Sequence, residues 1–202
     1  MNRKKVKKEK KQQDILQAAT DIFLNEGFLG ASMDKIAMRA GVTKQTVYRY
    51  FESKEVLFQA VLEAQRGDID SQFQQELDRE APMEALTMFS IGFLEMHMSE
   101  SHLAVIRLLV AEGPRAPELT RAFFAVGPKK TKERLMEFFT TRFKVADPEY
   151  TVKMLLSTLL SLRMNVLVGL RPIPTKEELV HHAKRSIAVC IEGLVIQRSK
   201  KT

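Results

Sequence analysis

Between Met33 and Tyr50 the chain reads MDKIAMRAGVTKQTVYRY, and the placing of its small and apolar residues leaves few ways to fold it. Ile36, Ala40, Val42, Val47 and Tyr50 supply one inward face across two short helices, with Ala37 small where the helices approach and Gly41 where the backbone must turn. An alanine methyl permits close packing, and glycine adopts positive φ at little steric cost. Ser32 and Thr43 each offer a hydroxyl that caps the helix following it. Lys44, Gln45, Thr46, Tyr48 and Arg49 come next, with side chains that reach phosphates or base edges. The expectation is a helix-turn-helix that presents its second helix to DNA. The pattern alone leaves a second reading open, since helix pairs joined through glycine also occur in proteins that never touch nucleic acid.

The flanks complete a small domain. Ile15, Leu16, Ala19, Ile22 and Phe23 have helical spacing, so a first helix is expected over Gln12 to Asn25, ending at Gly27. Phe23, Phe28, Val47 and Phe51 are its expected core. A fourth helix opens at Ser53 and continues to about Leu77. Its N-terminus attracts a phosphate and Lys54 adds a full charge, which makes Lys54 a candidate backbone clamp.

The formal net charge is +7, and most of it lies in Met1 to Gln12, where Glu9 is the only acid among seven basic residues. Such a run is either a solvated, mobile tail or an arm that follows phosphates or enters the minor groove. A chain of 202 residues, 45% hydrophobic, has ample material for packed cores. The single cysteine, Cys190, excludes an internal disulfide and, with no signal peptide, fits a reducing cytoplasm. The longest apolar region, Val152 to Leu170, is interrupted by Lys153, Arg163 and Asn165 and falls short of the run of about 20 residues that a membrane helix needs. No membrane partner is expected.

Beyond the fourth helix the sequence carries long amphipathic segments separated by prolines, without strand alternation, so the whole chain is expected to be all-α. Helices are expected at Pro82 to Ser99, His102 to Ala111, Pro117 to Val126, Lys129 to Phe143, Pro148 to Leu170 and Thr175 to Ser199. The last two are apolar on more than one side. Leu155, Leu159, Leu162 and Val166 on one, with Ile187, Ile191 and Leu194 on the other, are the candidate dimer interface, in a two-fold four-helix bundle. The same pattern also suits helices central to their own domain. Phe89, Phe93, Met96, Phe123, Phe124, Met136, Phe139 and Met164 could line an adaptable apolar cavity, with His97, His102, Arg107 and Glu112 as polar anchors, or could be plain core, the four polar residues equally suiting the surface.

Catalysis finds no support. His181 and His182 are adjacent on a helix and point about 100° apart, so they cannot simply share a metal. Cys190 has no nearby histidine in sequence, and there is no phosphate-cradling glycine loop. Neither a cofactor nor a metal is expected.

The segment from Ile15 to Leu62 resembles the N-terminal domain of the TetR family of bacterial transcriptional regulators. Ala18, Ala19, Phe23 and Gly27 form an AAxxxFxxxG pattern, followed by the helix-turn-helix and then by VYRYFESKEVLF. The stretch from Phe93 to Phe143, with EMHMSESHLAVIRLLVAEGPRAPELTRAFF, is similar to the AefR-like C-terminal subgroup. The resemblance implies a three-helix, homeodomain-like DNA-binding domain over residues 1–54 and a helical effector-binding and dimerisation domain over 55–202. It implies a cytoplasmic homodimer, at the nucleoid when bound, whose grip on double-stranded operator DNA is released by a small apolar or amphipathic ligand. Carried onto this chain, Lys44, Gln45, Thr46 and Tyr48 face the groove while Thr43, Arg49, Tyr50 and Lys54 favour phosphates, with Ser32 beside them; Arg49 could instead bind guanine bidentately if its side chain turns into the groove. Tyr50 also belongs to the inward set, and Thr43 also serves as a cap. Gln45 stands where the family often has a smaller residue and Arg49 where it often has an aromatic, which leaves the operator sequence open.

Overall fold

The structure is a computed structural model that describes residues 3–199 and, of these, the side chains outside 3–5, 66–71 and 194–199. It is all-helical over that range, as expected, with α1 at Arg3–Gly30, α2 at Met33–Arg39, α3 at Lys44–Tyr50 and α4 at Lys54–Gln75. These are followed by a 3-10 turn at Glu76–Asp78, α5 at Pro82–His97, α6 at Glu100–Glu112, α7 at Pro117–Val126 and α8 at Pro128–Phe143. The chain ends with α9 at Pro148–Leu159, a second 3-10 turn at Leu160–Leu162, α10 at Arg163–Leu167 and α11 at Lys176–Ser199.

By compactness the chain divides into two units, one of residues up to Gly67 together with Ala104–Gly127, the other of Asp68–Leu103 together with Pro128 onward. The expected division at 54/55 follows role, whereas the compact units share α4 and α6 between them.

In the first unit α1 begins nine residues before the expected Gln12, so the basic run is helix rather than tail over its described residues. Lysine, glutamate and glutamine are good helix formers and nothing before Gly27 breaks the ladder. At Gly27 the backbone turns to φ 79°, ψ 165°, a conformation open only to glycine, before a last turn closes with Ala31 N–H donating to the Gly27 carbonyl. At this break Leu29 N–H donates to Glu112 Oε2 at 2.8 Å.

The caps fall where the hydroxyls predicted them. Lys35 N–H donates to Ser32 Oγ at the start of α2, and Thr46 N–H to Thr43 Oγ1 at the start of α3. Gly41 takes φ 64° between the two helices. Phe23, Phe28, Val47 and Phe51 are buried as expected, and Phe58 joins them. Phe23 and Phe28 stack at 5.7 Å, and Phe58 meets both edge-on at 5.2 and 5.5 Å. Tyr50 departs from the inward set, since it is only half-buried, and Ala40 and Val42 are half-buried too.

Arg39 on α2 donates to Asp21 on α1 at 3.0 Å, and the Gln17 amide donates to the same carboxylate at 3.1 Å. The Arg39 bond, and after it the Gln17 bond, holds the Asp21 carboxyl below its ordinary value of 3.8. A carboxylate depressed on folding adds stability above its unfolded value and loses it as pH falls through the folded one. Acid unfolding of the first unit should therefore be less steep in Asp21→Asn than in the parent below about pH 4, as followed by circular dichroism.

In the second unit α11 packs on α5 and α9, and α8 packs on α9. Leu86, Phe89, Leu94, Leu103, Leu135, Phe139, Leu155 and Ala183 form its core with almost no exposure. Phe73, Phe89 and Phe93 meet at 5.4 to 6.0 Å. Gly92 allows the helices to close at this point, since a Cβ there would lie 2.6 Å from that of Phe73.

The single helix expected from Pro148 to Leu170 is broken after Leu159. A helix end leaves carbonyls without intrahelical partners. At this break the carbonyls of Thr158 and Leu159 accept from His182 Nε2 on α11 at 3.1 and 3.0 Å. Facing two acceptors, that nitrogen must carry a proton. The break is thus tied to a residue on another helix, which periodicity along α9 does not register.

Candidate nucleic-acid interface

Val47 anchors α3, since its side chain has no exposure while those on either side of it point outward. Lys44, Gln45, Tyr48 and Arg49 are exposed, with Tyr48 at 45%. Thr43 and Thr46 share a hydroxyl hydrogen bond of 2.9 Å, which orients both at the N-terminus of the helix. Ser32 is half-buried as the cap of α2.

The cations are not equally available. Lys44 Nζ reaches Asp34 Oδ2 at 2.8 Å and lies 6.0 Å from the Tyr48 ring centre. The hydrogen bond and charge of Asp34 hold that ammonium above its ordinary pKa. Both side chains are more than half exposed, so the pair is weak and can exchange for an outside anion.

Lys54, the candidate backbone clamp, is held within the fold. Its ammonium donates to the carbonyls of Phe28 at 2.7 Å and Ala31 at 3.3 Å, and stands 4.4 Å from the Phe28 ring centre. With two of its three donors committed to these carbonyls, it joins α4 to the C-terminal end of α1. The tie depends on tertiary folding, which a sequence pattern does not show. Arg49 stands 5.6 Å from the Tyr50 ring, and the Tyr50 hydroxyl donates to the Lys8 carbonyl at 3.2 Å.

The residues expected around an apolar cavity are scattered. Phe89, Phe93 and Phe139 are in the core of the second unit, with Met96 and Met136 half-buried against it. The His97 ring lies 3.8 Å from that of Phe93 and 4.6 Å from that of His102, its Nδ1 bonded to the Phe93 carbonyl at 2.8 Å. Met164 is on the surface at 60% exposure. Arg107, Phe123 and Phe124 belong to the first unit, where Phe123 is buried and Arg107 and Phe124 are exposed.

Four of the seven expected dimer residues turn inward. Leu155, Leu159, Val166 and Ile187 are buried in the core of their own unit, so they have no surface left for a second chain. Leu162 and Ile191 are half-buried, and the side chain of Leu194 lies outside the described residues. The outer sides of these helices instead carry Met154, Ser157 and Ser161 on α9 and the 3-10 turn, and Val189 and Gly193 on α11. Cys190 is half-buried, and burial pushes its thiol pKa up, away from the reactive thiolate.

Among the described residues, no group of His, Cys, Asp and Glu could hold a metal ion, and no helix is long and apolar enough to cross a membrane.

The family model described as bacterial regulatory proteins, tetR family, matches residues 15–61, and that of the AefR-like transcriptional repressor C-terminal domain matches 84–192, more than half of the chain. The chain belongs to the TetR family. This is a family of regulatory proteins, not of enzymes. The HTH-type transcriptional regulator SrpR of Pseudomonas putida is 30% identical over 98 residues, 48% of this chain and 46% of that one. The chain thus spans about half the length of that curated relative. A solved TetR-family regulator of Mesorhizobium loti superposes with a TM-score of 0.76 at 26% identity, covering 95% of this chain and 98% of its own. The flavonoid-responsive regulator FrrA superposes with a TM-score of 0.73 at 29% identity, covering 92% and 97%.

Proposed function

We propose that this TetR-family chain is a sequence-specific DNA-binding transcriptional repressor, active as a homodimer and released from its operator by a small apolar or amphipathic ligand. The observation that carries the reading is α3, fixed from behind by Val47 and capped by Thr43, with Lys44, Gln45 and Tyr48 outward on one short helix. Such a helix fits the major groove, where lysine and glutamine discriminate base edges. Arg49 and Tyr50, with the remaining donor of Lys54, hold the strand.

A single short helix reads only a few base pairs, so a second copy is needed to make an operator. The outer face of α9 and α11, with Met154 and Val189 exposed beside Ser157, Ser161 and Gly193, supports pairing through those helices. Small residues between larger apolar ones allow two helices to approach closely. Ligand release is supported by FrrA, a relative whose name states a flavonoid response. The coupling would run through α4 and α6, since each helix contributes to both units. Typical linkage is about 1–3 kcal/mol. The packed rings of Phe73, Phe89 and Phe93 favour a second reading for this last part alone, a regulator controlled without a small ligand. A flavonoid panel in calorimetry separates the two, with binding linked to DNA release supporting the first.

The DNA-binding test uses duplexes that the parent protein enriches from a random pool. Lys44→Ala and Gln45→Ala should lose about 1–3 kcal/mol of discrimination at matched positions. Lys54→Ala should weaken binding to all duplexes alike. Fluorescence anisotropy reads both, and unchanged preference and affinity in the Lys44 and Gln45 variants would remove α3 as the reading helix.

A further inference from the structure

The basic run at the N-terminus has a definite place once it is helix. Lys7, Lys8, Lys11 and Gln12 on α1, with Arg49 and Tyr50 at the end of α3, line a cleft of about 550 Å³. The Tyr50 hydroxyl donates to the Lys8 carbonyl and fixes the end of α3 against this part of α1.

The charge balance of the cleft differs from that of the cations around it. Lys35 pairs with Glu26, Arg39 with Asp21 and Lys44 with Asp34, while Lys54 is held by two carbonyls. Among the described residues no carboxylate pairs with Lys7, Lys8, Lys11 or Arg49, and no acid lines the cleft. Four positive charges facing one space, without internal compensation, make it an anion site.

Its shape selects among anions. Lys7 and Lys11 are one helical turn apart, about 6 Å along the axis, which suits a chain of charges placed about every 3.4 Å along a strand better than one small anion. A helix about 10–12 Å across cannot enter a minor groove about 6 Å wide. The backbone is what remains within reach.

The geometry points to a phosphodiester-binding cleft, formed by the helical N-terminal extension of α1 and the end of α3, that clamps one DNA strand beside the base pairs read by α3. It adds affinity without sequence preference, and it assigns Arg49 and Tyr50 to the backbone rather than to bases. The inference rests on the reading of α3 as the DNA-facing helix.

The test is the salt dependence of binding by full-length protein, on a duplex the parent enriches from a random pool and on one of scrambled sequence. Lys7→Gln, Lys8→Gln and Lys11→Gln are combined, since glutamine keeps helix propensity and removes charge. The slope of log affinity against log salt should fall by about 0.9 per chain for each phosphate contact removed, equally on both duplexes. The ratio of the two affinities should not change. A control with Lys129→Gln, Lys130→Gln and Lys153→Gln removes the same charge from the second unit and should leave the slope nearly unaltered, while the triple Lys→Arg variant at 7, 8 and 11 should restore it. Circular dichroism establishes that each variant is folded. A slope unchanged in the cleft variant, or a fall as large in the control, overturns the clamp while the reading of α3 stands. A parent protein that enriches no duplex at all overturns both.

Discussion

Replacing Gly27 by alanine is expected to destabilise the first unit by about 2–4 kcal/mol and to weaken DNA binding with it. Two costs combine. The backbone at φ 79°, ψ 165° is a region where residues with a side chain pay about 1–3 kcal/mol. The new Cβ would also lie 2.0 Å from Glu112 Oε1, so the carboxylate must move and its bond to Leu29 N–H is lost. At this exposed position that bond is worth about 1 kcal/mol. The two costs are separable. Combining Gly27→Ala with Glu112→Ala removes the overlap but not the strain, so it should recover little, whereas Glu112→Ala alone should cost only the bond. Hydrogen exchange of the α1–α2 amides measures each. Parent-like protection in Gly27→Ala would show that the break in α1 is not held as described.

Phe28→Ala is expected to cost more, about 3–5 kcal/mol, because it opens a cavity in a small core. Phe28 has no exposure, contacts the rings of Phe23 and Phe58, and lies under the Lys54 ammonium. Typical domains have only about 5–15 kcal/mol in all. The expected result is early unfolding of the first unit, with loss of DNA binding, while the core around Phe89 and Phe139 keeps its protection. Phe28→Leu should cost roughly a third as much. Equal destabilisation of both units would mean that they do not unfold separately.

What the sequence made legible was local chemistry. Ser32 and Thr43 cap the helices they precede, Gly41 takes the positive φ its position required, and Phe23, Phe28, Val47 and Phe51 meet in one core. Each of these follows from a residue and its near neighbours. The features that escaped depend on segments distant in sequence. The basic run lacks an apolar stripe, so nothing in its pattern announced a helix, although its residue types favour one. α9 and α11 are apolar on two sides, and periodicity cannot say which side meets the core. The large residues Leu155, Leu159 and Ile187 went inward, and the smaller and more flexible Ser157, Ser161 and Met154 were left outside. Glu112 had no motif of its own, and its role at the α1 break depends on a contact across 83 residues. Lys54 had the right charge and helix for a phosphate clamp, but no local pattern reveals the two carbonyls that already hold it.

The central claim is that paired copies of α3 read a duplex in sequence. The most direct measurement is selection from random duplexes by the purified full-length protein, run in parallel with Gln45→Ala. The account predicts a two-fold symmetric consensus, its half-sites about 34 Å or more apart, with symmetry-related positions altered in the variant. Enrichment of no consensus, or of one that Gln45→Ala leaves unchanged and that lacks two-fold symmetry, would contradict it.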